Sequence, residues 1–427
     1  MPGSAPSYSL LDKLSLENSL GATEKTLGYP RRTWFRYLLY TPIIATSVPK
    51  ELKRILVTET QKQLKRRTLF VGESIESVQT SEAHQKQKRV LLRAFSVKHI
   101  QLMEHIILQI FQQLSIVGDH EKTEVNMYPL LLNIVQRAFT QFLYGSSMGL
   151  TDIEMAKASE SLRTYLDNLS STGLVVLYCR PLARVLRYFS SNMTRTLEAA
   201  DHLDVLRERV LRIWMETEDK ESMDGLLFRI LTAAAAETER PLSTKVVMDN
   251  LLSLSLGGID STASAVVFNL ISLASHPEWQ RRVREELMEA KPESTTAGLP
   301  VLNAVISESL RLYPPFPETF PRVVQTDNYV MSGYHIPRGT MITGHLMALH
   351  RDPTYWSDAD KFDPSRFMDK ASHAQWYLPF GAGPEACIGK KLALTTIRAA
   401  VSEFVRTYSF RSVQPIEPGA WFVGLVP

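Results

Sequence analysis

The chain has 427 residues, a formal net charge of +3 and 44% hydrophobic residues. This is the composition of an ordinary globular protein, and a slight basic excess without a long Lys/Arg run gives no indication of nucleic-acid binding. Two cysteines are too few for a disulfide framework. We find no apolar run long enough to span a bilayer, so no transmembrane anchor is predicted.

The N-terminal region is polar and rich in Ser and Leu, and it has no basic stretch followed by an apolar one. A signal peptide is therefore not predicted. We expect residues 1–30 to form a disordered polar segment and residues 31–427 to form a single domain. No internal repeat or linker-like stretch divides that domain. Its predicted elements indicate a large helical lobe with a small strand-rich lobe.

Two short strands and two helices are predicted in the first hundred residues. Aromatic and β-branched residues indicate strands at 34–40 and 43–46, and a helix is predicted to begin on Pro49 and to run for about three turns. The second helix carries His84 and Lys88, which lie four residues apart on one face. Such charged faces are most often simply solvated, so these two residues are site candidates only if later motifs support a site.

A long helix is predicted from Ser243, which can cap it, to residue 275, shortly before Pro277. Its apolar residues cover nearly the whole circumference, so we expect it to be buried in the core. Two glycines in its middle, Gly257 and Gly258, would each cost about 1 kcal/mol relative to Ala. Because glycine is unfavourable at these positions, we expect that small residues are needed in the middle of this helix.

The glycines are closely followed by Asp260, Ser261 and Thr262. A carboxylate inside an apolar helix is strongly destabilising unless it has a partner. The segment therefore has two interpretations. It is either a kinked core helix whose Asp260 is capped, or a local widening in which a carboxylate and a hydroxyl relay protons.

A shorter helix is predicted at 302–313 and ends before two prolines. Its Glu308 and Arg311 are three residues apart and share a face. Such a pair usually lies on the surface, but apolar residues surround this one. Short strands are predicted at 329–343, and Arg366 follows in the motif F-D-P-S-R-F.

The most specific motif surrounds Cys387, in the pattern F-x-x-G-x-x-x-C-x-G from Phe380 to Gly389, ahead of a predicted helix at 390–408. Glycines allow positive φ angles and the close approach of a flat ligand. A thiol just before a helix meets unpaired N–H groups and the positive end of the helix dipole, and both favour the thiolate. A lone thiolate suits an axial ligand of haem iron. The alternative is a small buried side chain in a Gly-rich turn.

Four motifs occur in one order along the chain, at 257–261, 308–311, 362–367 and 380–389. Together they resemble those of the cytochrome P-450 family of haem-thiolate monooxygenases, over about residues 42–413. The resemblance implies a mainly α fold with a small β lobe, a long central buried helix and a cysteine-ligand loop. It also implies haem b as the cofactor, with a thiolate as its axial ligand.

The resemblance also implies roles for individual residues. Cys387 is the expected iron ligand, and a catalytic proton relay is expected at Asp260 and Ser261, with Thr262 as a substitute. The other cofactor contacts expected from the family pattern are Phe380, Gly383, Gly389, Arg322, His84 and Lys88. The residues expected to line the substrate pocket are Phe316, Thr319, Phe320, Trp421 and Phe422. The family's buried charged triad, which fixes the cysteine loop, corresponds to Glu308, Arg311 and Arg366.

Four positions depart from the family pattern, and the first is Gly257, which replaces an Ala. Ser261 replaces a Thr, which keeps the hydroxyl but loses the methyl group that restricts its rotamer. Lys88 replaces an Arg, which keeps the charge but not the bidentate geometry. Glu385 stands where the family usually has an Arg or His that pairs with a haem propionate. Two carboxylates about 4 Å apart repel each other by roughly 4 kcal/mol at an effective dielectric constant near 20. We therefore expect Glu385 to turn outward and haem to be held less tightly.

The resemblance implies insertion of one oxygen atom from O2 into an apolar organic small molecule, by hydroxylation or a related oxidation, with secondary metabolism as one setting. The chain has no candidate flavin or nicotinamide domain. Electrons from NAD(P)H are therefore expected through a separate redox partner, either a diflavin reductase or a ferredoxin. Two rival functions stay open: an O2-independent haem-thiolate isomerase or dehydratase, and a degraded, non-enzymatic paralogue.

The segment at 174–189 joins an apolar run to several arginines. It is either a peripheral membrane contact or an amphipathic helix that covers the core. Because neither a signal peptide nor a transmembrane helix is predicted, the expected locations are the cytoplasm and the surface of the endoplasmic reticulum membrane.

Overall fold

The computed structural model describes most of the chain from residue 33 onward. The polar segment predicted at 1–30 lies outside the described residues. The described ranges are 33–38, 41–58, 64–66, 73–78, 81–113, 123–168, 179–236, 241–290, 295–368, 375–412 and 422–426.

Helices dominate the described residues, as the sequence predicts. The α-helices are α1 Pro49–Lys53, α2 Ser81–Ala94, α3 Val97–Gln112, α4 Met127–Tyr144, α5 Asp152–Asp167, α6 Arg180–Leu186, α7 Ser191–Glu216, α8 Leu226–Ala235, α9 Thr244–Ser275, α10 Pro277–Glu289, α11 Pro300–Leu312, α12 Leu346–His350 and α13 Lys390–Thr407. Shorter helical turns occur at Arg54–Thr58, Lys220–Ser222, Thr296–Gly298, Pro364–Phe367 and Gly383–Glu385.

The described strands are short and form three small sheets. They are β1 Thr33–Leu38, β2 Thr41–Thr46, β3 Leu64–Arg66, β4 Thr123–Asn126, β5 Arg322–Val324, β6 Tyr329–Met331, β7 Tyr334–Ile336, β8 Met341–Gly344, β9 Ser409–Ser412 and β10 Phe422–Val426. The first sheet has the order β1-β2-β8-β5-β3, the second has the order β4-β10-β9, and the third is the pair β6-β7. Within the first sheet β2 and β8 are parallel and the other neighbours are antiparallel. Arg322 is the first residue of β5 in this sheet, and it pairs with Ile342 of β8.

The long helix predicted in the middle of the chain is α9. Ser243 caps it, because the Ser243 Oγ accepts a hydrogen bond from the Val246 N–H at 3.3 Å. The helix ends at Ser275, and Pro277 begins α10. α9 packs against α4, α11 and α13, and most of its apolar side chains are buried. These contacts confirm the long central buried helix.

α9 is the helix among the described residues that is long and apolar enough to cross a bilayer, by length and composition. However, 53% of its apolar window is buried inside the protein. Core helices pass the same test, so α9 is weak evidence for a membrane span.

The helix that begins on Pro49 is shorter than the sequence predicts. α1 ends at Lys53 and continues as one π-helical turn, Arg54–Thr58. Such turns change the direction of backbone carbonyls, and here the Leu56 carbonyl faces Gly383 of the cysteine loop. The turn therefore packs the N-terminal part of the chain against the candidate site.

The basic part of the segment at 174–189 forms α6, while residues 174–178 lie outside the described residues. Arg180 pairs with Asp204 of α7 at 2.5 Å between Nη1 and Oδ2. Four large apolar side chains on and just after α6 are exposed, Leu182, Val185, Tyr188 and Phe189. Ala183 and Leu186 of α6 pack against apolar side chains of α7, and the peripheral membrane contact stays a prediction.

Candidate active site

The loop that carries Cys387 closes on itself before α13 begins. The Cys387 N–H donates to the Phe380 carbonyl at 2.9 Å, across the loop. Gly381 and Gly383 have positive φ angles of 68° and 73°, a conformation that side chains with a Cβ rarely adopt. A Cβ at Gly383 would also collide with the carbonyl oxygen of Leu56. Glycine is therefore required at 383 by both conformation and space.

The electrostatic balance at the Cys387 sulfur favours the neutral thiol. Burial is the largest influence and raises the pKa of Cys387, and the Glu76 carboxylate raises this pKa further. The Gly389 and Lys390 N–H groups donate to the sulfur and lower the pKa, as does the Lys88 charge. The effect expected from the helix start is present, since both N–H groups lower the pKa of Cys387. The N–H donors are present, but desolvation outweighs them.

The Cys387 thiol is deep in the molecule and yet accessible. Its side chain is exposed, although burial is the main cause of its raised pKa. A sulfur that faces an internal cleft can be both exposed and largely desolvated. Across this cleft, the Glu76 Oε1 would lie 3.5 Å from a Cβ placed on Gly257 of α9. The cysteine loop, the centre of α9 and the segment at 73–78 therefore border one cleft.

Lys88 contacts the cysteine loop directly. Its Nζ donates to the Pro384 carbonyl at 2.5 Å, three residues before Cys387. Burial lowers the pKa of Lys88, while the negative charges of Glu385 and Cys387 act in the opposite direction. His84 lies one turn earlier on the same face of α2 and is 7% exposed. The structure thus places Lys88 at the cysteine loop and His84 in a buried position one turn earlier in α2.

Glu385 forms an ion pair with Arg322. The Arg322 Nη2 lies 2.5 Å from the Glu385 Oε2, and the two side chains are only 3% and 15% exposed. The expectation that Glu385 turns outward is therefore wrong. The physical reason is that a guanidinium as buried as that of Arg322 needs a counter-charge, and the nearby carboxylate supplies it.

The two glycines of α9 have different neighbours. A Cβ on Gly258 would lie 2.9 Å from the Phe139 Cε2 of α4, so Gly258 allows close helix packing. Gly257 instead faces Glu76 in the cleft. The Ser261 hydroxyl donates to the Gly257 carbonyl at 2.5 Å, and Thr262 is buried. The hydroxyl of Ser261 is thus held beside the glycine that borders the cleft.

Asp260 lies near the middle of α9 and is exposed. Its Oδ1 accepts a hydrogen bond from the Tyr128 hydroxyl of α4. The carboxylate thus has a hydrogen-bond partner, and at this position α9 is open to solvent beside α4. Sequence reasoning did not find Tyr128, since it is 132 residues away and carries no local motif. Sequence reasoning did not identify Glu76 either, because it too carries no local motif.

Arg311 is completely enclosed and uses all five of its N–H donors. Its Nε and Nη2 form a bidentate pair with the Glu308 carboxylate at 2.7 and 2.8 Å, and both side chains are 0% exposed. The remaining donors reach the carbonyls of His350, Ala359 and Lys361, at 2.7, 2.6 and 3.1 Å respectively. Such saturation stabilises a buried charge.

Arg366, from the F-D-P-S-R-F motif, approaches the same carboxylate. Its Nε lies 3.4 Å from the Glu308 Oε1, and its side chain is 7% exposed. The Asp363 N–H donates to the same oxygen at 2.8 Å. The structure therefore brings together the three residues of the charged triad predicted from the sequence.

His350 connects this network to the cysteine loop. Its Nε2 accepts a hydrogen bond from the Leu378 N–H at 2.9 Å, and the Leu378 carbonyl accepts from the Gly381 N–H at 3.0 Å. Burial, reinforced by the Arg311 charge, lowers the pKa of His350 to about 3. The ring is therefore neutral at ordinary pH, as an acceptor nitrogen requires.

Comparison with known proteins identifies the family of this chain. The family model described as Cytochrome P450 matches residues 29–421. The chain belongs to the cytochrome P450 family. The family predicted from the four motifs is therefore confirmed, and so is the fold class.

Relatives within the cytochrome P450 family share modest identity with this chain. Cytochrome P450 3A9 of Rattus norvegicus is 32% identical over 215 residues, which cover 48% of this chain and 42% of the rat protein. The matched part thus spans less than half of the rat protein. Cytochrome P450 3A11 of Mus musculus is 25% identical over 410 residues, which cover 89% of this chain and 79% of the mouse protein.

A solved cytochrome P450 has the same fold. The retinoic acid-bound cyanobacterial CYP120A1 superposes with a TM-score of 0.80, over 100% of this chain and 99% of its own, at 20% identity. At this level of identity the likeness supports the shared fold of the family.

The cytochrome P450 family implies a haem-thiolate cofactor, and the donor set of this chain fits it. Cys387 offers one accessible sulfur with two N–H donors behind it. Among the described residues, no group of three or more His, Cys, Asp or Glu side chains is placed to hold a metal ion. A single protein thiolate is sufficient for haem iron, because the porphyrin itself supplies nitrogen ligands to the iron. Lys88, His84 and Arg322 place positive or polar groups near the same loop.

The predicted pocket residues of this cytochrome P450 are only partly described. Phe316 is 50% exposed, and its ring centroid lies 6.3 Å from that of Phe320. The Thr319 N–H donates to the Gly344 carbonyl at 2.8 Å, so this segment adjoins β8. Trp421 lies outside the described residues, and Phe422 begins β10. The pocket assignment stays a prediction.

Proposed function

We propose that this protein is a haem-thiolate monooxygenase that inserts one oxygen atom from O2 into an apolar organic small molecule. Cys387 is the iron ligand. The observation that supports this most is the Cys387 thiol, which is deep, accessible and backed by the Gly389 and Lys390 N–H groups. Cys387 would hold the iron as its thiolate, because a metal ion deprotonates a coordinating thiol.

The bound haem supplies the binding and activation of dioxygen. The chain contributes the environment of the reaction. The Gly389 and Lys390 N–H groups hold negative charge at the Cys387 sulfur. The Glu308–Arg311 network keeps the loop in place through His350 and the Leu378 N–H.

Protons reach the cleft from solvent through α9. Asp260 is exposed, so its carboxylate can exchange a proton with water, and the Tyr128 hydroxyl holds it at a fixed position. The Ser261 hydroxyl, which donates to the Gly257 carbonyl, can turn toward the cleft and pass a proton on. Thr262 is the substitute donor. This arrangement favours a monooxygenase over an O2-independent isomerase or dehydratase, which needs no proton delivery to dioxygen.

The substrate and the electron donor are part of the same proposal. Phe316, Thr319 and Phe320 contact the apolar substrate, together with Trp421 and Phe422. Electrons come from NAD(P)H through a separate redox protein, a diflavin reductase or a ferredoxin. Residues 31–427 act as one catalytic domain, which works in the cytoplasm or on the surface of the endoplasmic reticulum membrane.

The carbon monoxide difference spectrum of the purified protein tests the ligand. We expect the reduced carbon monoxide complex to show the red-shifted Soret band of a thiolate-ligated haem. Cys387→Ala should abolish this band, and Cys179→Ala, the matched control, should leave it unchanged. The reverse result would exclude Cys387 as the ligand.

Oxygen consumption with a surrogate reductase then separates the three candidate functions. A monooxygenase consumes O2 in proportion to product. An isomerase or dehydratase shows the Soret band without coupled O2 consumption, and a degraded paralogue shows no haem band. Either of the last two results would overturn the proposed function.

A further inference from the structure

The Glu385–Arg322 ion pair joins two separate parts of the candidate site. Arg322 is the first residue of β5, in the sheet. Glu385 ends the short helical turn Gly383–Glu385, two residues before Cys387. The pair is enclosed, at 3% and 15% exposure, with 2.5 Å between Nη2 and Oε2. It therefore fixes the cysteine loop to the sheet.

A second cation reinforces this arrangement. The Lys88 Nζ is bound to the carbonyl of Pro384, the neighbour of Glu385. The charge of Glu385 is also the largest influence that opposes the burial of Lys88. One carboxylate thus faces two cations that the cytochrome P450 pattern associates with the haem propionates. A propionate carries the same chemical group as the Glu385 side chain.

We propose that Glu385 is an internal substitute for a haem propionate. In the cofactor-free protein its carboxylate holds the Arg322 guanidinium and keeps the cysteine loop attached to β5. When haem binds, a propionate has to compete with Glu385 for that guanidinium. This inference rests on the proposed function, because it assumes that haem is the cofactor.

The proposal gives Glu385 opposite effects on the two forms of the protein. Without haem, loss of the carboxylate leaves the nearly buried Arg322 with less counter-charge, which destabilises the fold. With haem, loss of the same carboxylate removes a competitor and a source of repulsion toward the propionate. A purely structural ion pair would instead destabilise both forms.

The test compares Glu385→Gln with the natural protein. Glutamine keeps the size of the side chain but removes the charge. Glu318→Gln is the matched control, since Glu318 is also 15% exposed and lies 3.9 Å from a buried partner, His345. Two quantities are measured: the thermal midpoint of the cofactor-free protein, and the rate of haem transfer from the loaded protein to apomyoglobin.

We expect Glu385→Gln to lower the thermal midpoint of the cofactor-free protein and to slow haem transfer by about tenfold, which corresponds to about 1.4 kcal/mol. Glu318→Gln should not slow haem transfer. Equal or faster haem transfer from Glu385→Gln would overturn the inference, and so would an unchanged thermal midpoint. If the natural protein takes up haem, neither failure affects the proposed function. If it takes up none, both proposals fail.

A double-mutant cycle sharpens the result. If the natural Arg322 is shared with Glu385, Arg322→Ala should accelerate haem transfer more strongly in the Glu385→Gln background than in the natural one. Identical effects of Arg322→Ala in both backgrounds would show that the two side chains act independently, and would contradict the competition.

Discussion

Arg311 satisfies all five of its N–H donors inside the protein, whereas the centre of α9 leaves the Asp260 carboxylate in contact with solvent. Arg311 and Glu308 are fully buried and surrounded by backbone carbonyls and N–H groups. Asp260 is exposed and has one hydrogen bond from Tyr128 among those the structure describes. The first region holds its side chains in fixed positions, and in the proposed function the second exchanges protons with solvent. Mutations in the two regions should therefore have different consequences.

The largest effect is expected from Arg311→Ala. It would leave the Glu308 carboxylate buried without its bidentate partner, which costs about 3–5 kcal/mol of unfolding free energy. We expect low soluble yield and loss of haem, measured by urea unfolding and by the Soret absorbance per protein. Arg281→Ala is the control, because the Arg281–Glu285 pair is exposed and contributes about 1 kcal/mol or less. Full haem incorporation in Arg311→Ala would show that the network does not support the loop.

The next effect is a loss of stability in acid caused by His350. Its folded pKa is about 3, below the value near 6.5 of the unfolded chain. Between these two values only the unfolded state takes up the proton. His350 should therefore reduce the unfolding free energy by about 1.4 kcal/mol for each pH unit below about 6.

This pH dependence is measured as the urea unfolding free energy between pH 7 and pH 4. His350→Gln keeps an acceptor for the Leu378 N–H but has no proton to gain, so its profile should be flatter. Other groups titrate equally in both proteins and cancel. Parallel profiles would exclude His350 as the source.

Substitutions in the centre of α9 should affect turnover and not stability. Asp260→Ala removes an exposed side chain, so the unfolding free energy should change by about 0.5 kcal/mol or less. Loss of a proton-transfer group should slow product formation by about a hundredfold. Ser261→Ala should divert electrons to peroxide, measured as product formed per NAD(P)H consumed, with Thr262 giving partial rescue. Unchanged product per electron in both variants would contradict the relay.

The smallest effect concerns the reactivity of the Cys387 thiol without haem. Because burial raises the pKa of Cys387, the folded cofactor-free protein should react with iodoacetamide at pH 7 more slowly than the urea-unfolded protein. The measurement uses a Cys179→Ser background, so that only Cys387 is labelled. Faster labelling of the folded protein would indicate a stabilised thiolate, as the sequence alone suggested.

The sequence by itself determined the fold family and the length of its central helix. Hydrophobic periodicity and the cap at Ser243 depend on neighbouring residues, so they can be read from a single chain. The same is true of the Gly-rich turn before Cys387, where positive φ angles require particular residues. The pair Glu308 and Arg311 was also predictable, because three residues place both side chains on one face of a helix.

The tertiary structure alone decided which partners the polar groups have. Arg322 and Glu385 are 63 residues apart along the chain, and Tyr128 and Asp260 are 132 residues apart. Neither contact can therefore be predicted from a local sequence pattern. The sequence-based expectation was wrong at Glu385, and the sequence did not determine the partner of Asp260 or the direction of the pKa shift at Cys387. In each case the outcome depends on a balance of burial against nearby charges and hydrogen-bond donors. That balance exists only after distant segments have packed together, because desolvation and Coulomb energies depend on distances in space and not on positions along the chain.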